Sequence, residues 1–288
     1  MSIFPLCNVR PKRPVRLACA VALMLGVGAT FATEGDTRVP DTLEVTGQRQ
    51  VAAAWYSHPT ERYAHGALGD YIEAGALQVR LKSGERLEYV LDEASVFEDI
   101  TPRLVDLDGD GADEVVSIRA YASGGAALSV FKASPSGLVP WVEYPRIGLA
   151  NRWLNPVGFG DFDGDGELDV AHIQTPHIGG ILILSRVRNG QLEAFASRAG
   201  VSNHAYGARE LRMSAVVDVE SDGRAEIIVP DQARRNLVVA RLVDGAIEFS
   251  PLALGKPIEA IYLSDAGSVR VIVEGGQQLD FAPQVFAR

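Results

Sequence analysis

The sequence predicts an all-β fold built from a repeated unit whose acidic segments start at Asp106, Asp161 and Asp218. The chain between these segments consists of short alternating or β-branched runs separated by Gly-containing turns. No stretch of 33–288 shows the periodicity of a long helix. These three observations favour stacked antiparallel sheets over a helical or mixed architecture.

The segment 1–32 predicts a secretory signal peptide. Four basic residues and no acid precede the apolar run LACAVALMLGVGATFA, which ends at Ala32. A basic start, a short apolar run and small residues at its end are typical of such a segment, and the run is shorter than the roughly 20 residues that a membrane span needs. We therefore expect cleavage after Ala29 or Ala32. The mature chain, 33–288, would be periplasmic or secreted and have no membrane span; an uncleaved anchor is the alternative.

Composition restricts the partners of the mature chain. Cys7 and Cys19 both lie within 1–32, so the mature chain would have no cysteine for a disulfide. Without the four basic residues of that segment, 37 acids face 23 bases, which gives a formal charge of −14. This surplus argues against nucleic acid or an anionic membrane as a partner and is compatible with cation binding.

The three acidic segments share one pattern of carboxylates. An apolar approach leads to acids at positions 1, 3 and 5, glycine at position 6, an acid at position 9 and then an apolar run. The segments are VDLDGDGADEVVSI (105–118), FGDFDGDGELDVAHI (159–173) and VVDVESDGRAEIIVP (216–230). Fainter copies without the alternating acids surround Gly75 (73–81) and Gly267 (265–273), so we count about five units.

Alternating carboxylates around a tight turn direct oxygen atoms to one point, which predicts Ca²⁺, a cation that takes 6–8 oxygen ligands at about 2.3–2.6 Å. We expect two structural calcium sites and a third that is weaker because of Glu220 and Ser221. An EF-hand needs a bidentate Glu at position 12, where none of these loops has one. The predicted ligands are Asp106, Asp108, Asp110, the Ala112 carbonyl and Glu114 in loop one; Asp161, Asp163, Asp165, the Glu167 carbonyl and Asp169 in loop two; and Asp218, Glu220, Asp222, the Arg224 carbonyl and Glu226 in loop three.

About four short strands per unit, repeated about five times, favour a β-propeller of about five blades, with six or seven as alternatives. We expect a strand near 42–46 to pair with the short last unit and close the ring. The motif D-x-D-G-D-G-x-x-[DE], with Phe159-Gly160 before loop two, resembles the FG-GAP or VCBS-type repeat of integrin-α-like propellers. That resemblance implies the propeller fold and Ca²⁺. It implies little about function, because such propellers occur in adhesion proteins, enzymes and other secreted proteins.

Loops at the end opposite the acidic loops carry most of the remaining polar and aromatic side chains. Four of the five histidines lie there, whereas His172 lies in a predicted strand and is interpreted as a hydrogen-bonded packing residue. Such groups on loops of a rigid scaffold are a common form of binding site. The predicted ligand-binding residues are His58, His65, Arg146, Arg152, Trp153, Asn155, His177, Asn203, His204, Tyr206 and Arg209.

Three functions compete for this face. The first, which we favour, is binding of a protein or glycan by an exported, calcium-stabilised propeller. The second is a secreted hydrolase or lyase that uses His177 or His204 as a base and Arg152 or Arg209 for an anionic group. No G-x-S-x-G, H-E-x-x-H or phosphate-loop motif supports an enzyme. The third is a Zn²⁺ site built from several of the histidines.

Overall fold

The computed structural model describes residues 37–287. This part of the chain is all-β, with twenty strands, one 3₁₀ helix at Pro283–Phe286 and no α-helix. No helix within 37–287 has the length and apolar character needed to cross a membrane. The predicted signal peptide lies outside the described residues, so export stays a prediction.

The strands form antiparallel sheets of nine, four, four and three strands. The nine-stranded sheet contains two four-stranded units joined by β5 (Ser95–Phe97), and each remaining sheet is one unit. Unit 1 comprises β1 (Val45–Thr46), β2 (Val51–Thr60), β3 (Glu73–Leu81) and β4 (Arg86–Val90); unit 2 comprises β6 (Arg103–Val105), β7 (Glu114–Tyr121), β8 (Gly125–Ser134) and β9 (Gly137–Glu143); unit 3 comprises β10 (Leu154–Gly160), β11 (Asp169–Gln174), β12 (Ile181–Arg188) and β13 (Gln191–Ala199); unit 4 comprises β14 (Ala215–Val217), β15 (Glu226–Pro230), β16 (Asn236–Val243) and β17 (Ala246–Ala253); unit 5 comprises β18 (Ile258–Leu263), β19 (Val269–Val273) and β20 (Gln277–Phe281).

Each acidic loop joins the first strand of its unit to the second, in units 2, 3 and 4. The glycine at position 6 has φ of +88°, +85° and +91° in the three loops, a left-handed conformation that other residues rarely adopt. The glycine therefore permits the tight turn from which the second strand starts.

Hydrophobic clusters join each unit to the next one along the chain. One cluster links units 1 and 2 through Phe97 and Phe131. The next packs units 2 and 3 around Trp153, the third joins units 3 and 4, and the fourth joins units 4 and 5. Since the units bury their apolar faces on one another, neighbouring units stabilise each other.

Two expectations about the end units are wrong. Val45–Thr46 pairs with β2 of unit 1 and not with the last unit, because Val39 and Val45 pack into the cluster between units 1 and 2. Gly75 is not a remnant of an acidic loop, since it lies inside strand β3, where its carbonyl accepts a hydrogen bond from Leu91. The predicted position of the faint repeat at 265–273 is confirmed, because Gly267 lies in the turn between β18 and β19.

Candidate functional site

Two hydrogen bonds within each acidic loop recur in all three loops. The position-1 carboxylate accepts from the amide of the position-6 glycine, at 3.1 Å for Asp106 and 2.8 Å for Asp161. The position-9 carboxylate accepts from the amide at position 2, at 2.7 Å for Glu114 and 2.8 Å for Glu226. These backbone donors therefore orient the carboxylates without the help of a cation.

The carboxylates of loops one and two converge, as the sequence predicts. Oxygen atoms of three residues lie within 4.8 Å of one another in each loop. Loop three does not form such a group within 37–287, in keeping with its longer Glu220. The convergent sets are Asp106, Asp108 and Glu114 in loop one, and Asp161, Asp163 and Asp169 in loop two.

A basic side chain from the third strand of the unit reaches into each loop. In loop two, Arg186 contacts Asp163 at 2.6 Å, Asp165 at 2.8 Å and Asp169 at 3.1 Å. Burial raises the pKa of Asp169 to about 6, although the Arg186 guanidinium acts in the opposite direction. The oxygen atoms suit Ca²⁺ in chemistry, but two of the three convergent carboxylates, those of Asp163 and Asp169, already contact the Arg186 guanidinium. Calcium binding therefore stays a prediction.

Loops one and three have the same arrangement. Lys132 forms ion pairs with Asp108, Asp110 and Glu114. Arg241 contacts Glu220 at 3.4 Å and Glu226 at 3.9 Å. None of these three basic residues was predicted as part of a loop, although each one follows or interrupts an apolar run: VFKA, LSRV and VARLV.

On the opposite face, two predicted histidines meet over Trp153. His177 Nε2 lies 2.7 Å from His204 Nδ1, and the His177 ring is parallel to the indole of Trp153. His204 Nε2 lies 3.0 Å from the carbonyl oxygen of Ala208, which can only accept, so this nitrogen carries a proton. In the neutral pair, His177 Nε2 then donates to His204, which leaves Nδ1 of His177 with a free lone pair.

Both imidazoles are neutral at pH 7. Burial lowers the pKa of His177 to about 3, and the nearby His204 acts in the same direction. Burial also lowers the pKa of His204 to about 4. The pair therefore offers a hydrogen-bond acceptor at His177 and no positive charge.

A third histidine completes this histidine cluster. His65 Nδ1 lies 2.7 Å from Oε1 of Glu98, a carboxylate with no exposed surface, whose Oε2 has no hydrogen-bond partner. Trp153 donates its indole N–H to the Glu98 carbonyl, and Tyr206 donates its hydroxyl to the His65 carbonyl. The cluster thus connects five loops, from the one after β2 to the one after β13; its members are His65, Glu98, Trp153, His177, His204 and Tyr206.

The other predicted residues lie apart from the histidine cluster or are structural. His58 lies on strand β2 and not in a loop, 3.2 Å from Glu88. Asn155 and Asn203 are fully buried, and each donates to the other's backbone carbonyl, so they tie strand β10 to the loop after β13 and present nothing to a ligand. His172 packs in the core on Tyr144, but neither ring nitrogen has a hydrogen-bond partner, so that part of the interpretation is wrong.

The three predicted arginines contact groups outside the histidine cluster. Arg209 forms ion pairs with Asp41 and Asp70. The Arg146 guanidinium lies 3.4 Å from the centre of the Tyr121 ring. Arg152 donates to the carbonyl of Asn151 at 2.9 Å. Arg146 is exposed, whereas Arg209 is engaged by its two carboxylate partners.

Exposed apolar side chains lie on the same loops as the histidine cluster. Among them, only Tyr206 was predicted from the sequence. The loops that carry them contact one another: Tyr63 accepts from the Asn151 amide, His65 contacts Tyr206, and Tyr206 contacts His177. We call these side chains the apolar patch; they are Tyr71, Leu149, Ile178 and Tyr206, each 60–64% exposed, and Ile72 at 37%.

The histidines do not support a zinc site. Within 37–287, the groups of three convergent metal-ligating atoms are the two carboxylate sets of loops one and two. His65 binds Glu98, His58 lies elsewhere, and only His177 and His204 meet. Two imidazoles fall short of the three protein ligands of a catalytic zinc ion.

Comparison with known families identifies the repeat. Residues 106–172, which span loops one and two, match the FG-GAP-like repeat. This segment thus carries an FG-GAP-like repeat, as its acidic motif indicates. No match was found among curated proteins.

Solved structures with similar coordinates include three lyases. An exotype rhamnogalacturonan lyase has 14% identity and a TM-score of 0.42 over 85% of this chain and 58% of its own. Virginiamycin B lyase from Staphylococcus aureus has 12% identity and a TM-score of 0.44 over 86% of this chain and 71% of its own. A Bacillus licheniformis rhamnogalacturonan lyase has 14% identity and a TM-score of 0.44 over 84% of this chain and 59% of its own. At this distance the similarity says nothing about activity, and the chain spans under two thirds of both rhamnogalacturonan lyases.

Proposed function

We propose that the chain is an exported five-bladed β-propeller, one blade per unit, that binds a protein partner through the face opposite the acidic loops. The observation that carries the proposal is the apolar patch on four loops that contact one another. Contiguous exposed apolar side chains mark interaction sites.

The chemistry of the patch favours a protein over a glycan. Trp153, the bulkiest aromatic residue of this face, is 1% exposed and lies beneath the histidines, so it offers no face to a sugar ring. The exposed side chains are two tyrosines and three aliphatic residues, and Arg146 on the loop of Leu149 is exposed as well. Tyrosine and arginine around an apolar centre are enriched at protein interfaces.

The histidine cluster would act as the rigid base of this face. Hydrogen bonds hold the loops that carry Leu149, Ile178 and Tyr206. The Asn151 amide donates to the Tyr63 hydroxyl, the His177 and His204 side chains bond to each other, and the Tyr206 hydroxyl donates to the His65 carbonyl. A base that is already ordered lowers the entropic cost of binding. The neutral His177 also offers an acceptor at the edge of the patch.

Site-specific photo-crosslinking in the producing cell tests this function. A photoreactive side chain at Ile178 or Tyr206 should give the same discrete adduct, and one at Leu168, an exposed apolar residue in loop two, should not. Adding Leu149→Asp should abolish the adduct without changing the melting temperature of the chain. Adducts of equal yield at Leu168, or none at either test position, would refute the proposed function.

A second candidate, acid–base catalysis, is favoured by the His65–Glu98 pair. A buried carboxyl group bonded to Nδ1 fixes the orientation of an imidazole and so the direction of its Nε2. Hydrolysis or elimination of a panel of polysaccharides and esters by the wild type, with loss in His65→Gln, would support this candidate. If no substrate is turned over and a partner is crosslinked, catalysis is rejected and the binding function is supported.

A further inference from the structure

The basic residues in the acidic loops occupy one register position of the repeat. Val115 pairs with Phe131, Val170 with Ser185, and Ile227 with Ala240 across the second and third strands of units 2, 3 and 4. One residue further toward the loop, the position-9 acid on the second strand faces a base on the third. The facing pairs are Glu114 and Lys132, Asp169 and Arg186, and Glu226 and Arg241.

These bases differ from ordinary surface partners. Arg186 and Arg241 have side chains only 8% and 6% exposed, and Lys132 is 23% exposed. Arg186 reaches the acids at positions 3, 5 and 9 together, and Lys132 does the same in loop one. These are the positions whose carboxylates would have to turn toward a central calcium ion.

We infer that the acidic loops carry a covalently tethered counter-ion, an ammonium or guanidinium from the third strand, which serves in place of a divalent cation. The strand register fixes the tether, so the counter-ion is present whenever the hairpin forms. The loops therefore close without calcium, which contradicts the calcium requirement that the sequence motif suggests.

The tethered basic side chain and a calcium ion would compete for the same carboxylates. Like charges a few Å apart repel strongly where water is partly excluded. A Ca²⁺ ion would also need most of its 6–8 oxygen ligands from the carboxylates that the base already binds. Arg186, with its planar fork on three carboxylates, is the strongest competitor. Lys132, a point charge that also contacts the Trp141 ring, is the weakest.

The test exchanges the tether for a neutral side chain and asks whether calcium dependence appears. Arg186→Gln and the control Arg188→Gln, an exposed arginine at the end of the same strand, are melted in chelator and across a calcium titration. The wild type and the control should show equal midpoints in chelator and in calcium. Arg186→Gln should lose roughly 5–10 °C in chelator and recover most of that loss with calcium.

Two further variants keep the test decisive if Arg186→Gln does not fold. Lys132→Met should create a calcium-binding signal in calorimetric titration that the wild type lacks. Arg186→Lys should keep the loop independent of calcium, since it retains the charge. A wild-type midpoint that rises with calcium, or neutral variants that bind no more calcium than the wild type, would overturn the inference.

Discussion

Replacing Glu73 with glutamine should stabilise the chain at neutral pH. Glu73 begins strand β3 with a side chain 3% exposed. Burial raises the pKa of its carboxyl from 4.5 to about 9, and the charges of Glu98, Asp70 and Asp99 add to the rise. At pH 7 the folded chain therefore keeps Glu73 protonated, whereas the unfolded chain ionises it.

The sign and size of the effect follow from linkage. A carboxyl whose pKa is higher in the folded state binds more protons there, so stability falls as pH rises from about 4.5 to about 9. Each pH unit in that window costs about 1.4 kcal/mol. Between about pH 5 and pH 7.5 the wild type should therefore lose about 3 kcal/mol relative to Glu73→Gln, which has no proton to release.

Urea unfolding at both pH values measures this difference. Glu73→Gln should nearly match the wild type at pH 5 and exceed it at pH 7.5. The control Glu85→Gln, an exposed glutamate in the turn after β3, should follow the wild type at both. A constant offset between Glu73→Gln and the wild type would refute the reasoning, because it would show that Glu73 does not change its proton occupancy on unfolding.

Substitutions at three other positions have definite outcomes. Burial lowers the pKa of His172 to about 3, so the wild type loses stability as pH falls below 6.5; His172→Leu should gain about 2 kcal/mol relative to the wild type between pH 7.5 and pH 5 in urea unfolding, and parallel curves would contradict this. A Cβ at Gly180 would overlap the Val201 carbonyl oxygen, so Gly180→Ala should cost about 2–3 kcal/mol; an unchanged melting temperature would show that the loop can shift. Trp153→Phe should cost about 1–3 kcal/mol, because it removes the donor to the Glu98 carbonyl, and Trp153→Ala about 3–5 kcal/mol; equal losses in chemical denaturation would mean that the hydrogen bond contributes most of the energy.

Features set by local sequence were predictable. The run EVVSIRAY coincides with β7, EIIVP with β15 and VRVIV with β19. Alternation and β-branching specify a strand within a few residues, and glycine at position 6 specifies the turn before it. The acidic loops were located for the same reason.

Features set by contacts distant in sequence were not predictable. Glycine occurs both in turns and inside strands, so Gly75 could not be assigned without knowing that β3 continues through it. The sequence placed His177 and His204 on loops at the end opposite the acidic loops. The 2.7 Å contact between the two rings, however, depends on how these loops pack. Asn155 and Asn203 have the residue type of ligand contacts, and only their burial identifies them as structural.

The arrangement of the hydrophobic clusters has a mechanical consequence. The cluster of units 2 and 3 also takes in Ala67 and Leu68 of unit 1 and Leu211 before unit 4, so these units hold one another in several places. Unit 5, by contrast, shares its hydrophobic cluster with unit 4 alone among the described residues, and its sheet has three strands. Under force or protease, unit 5 should therefore detach first, because it has the fewest contacts to lose.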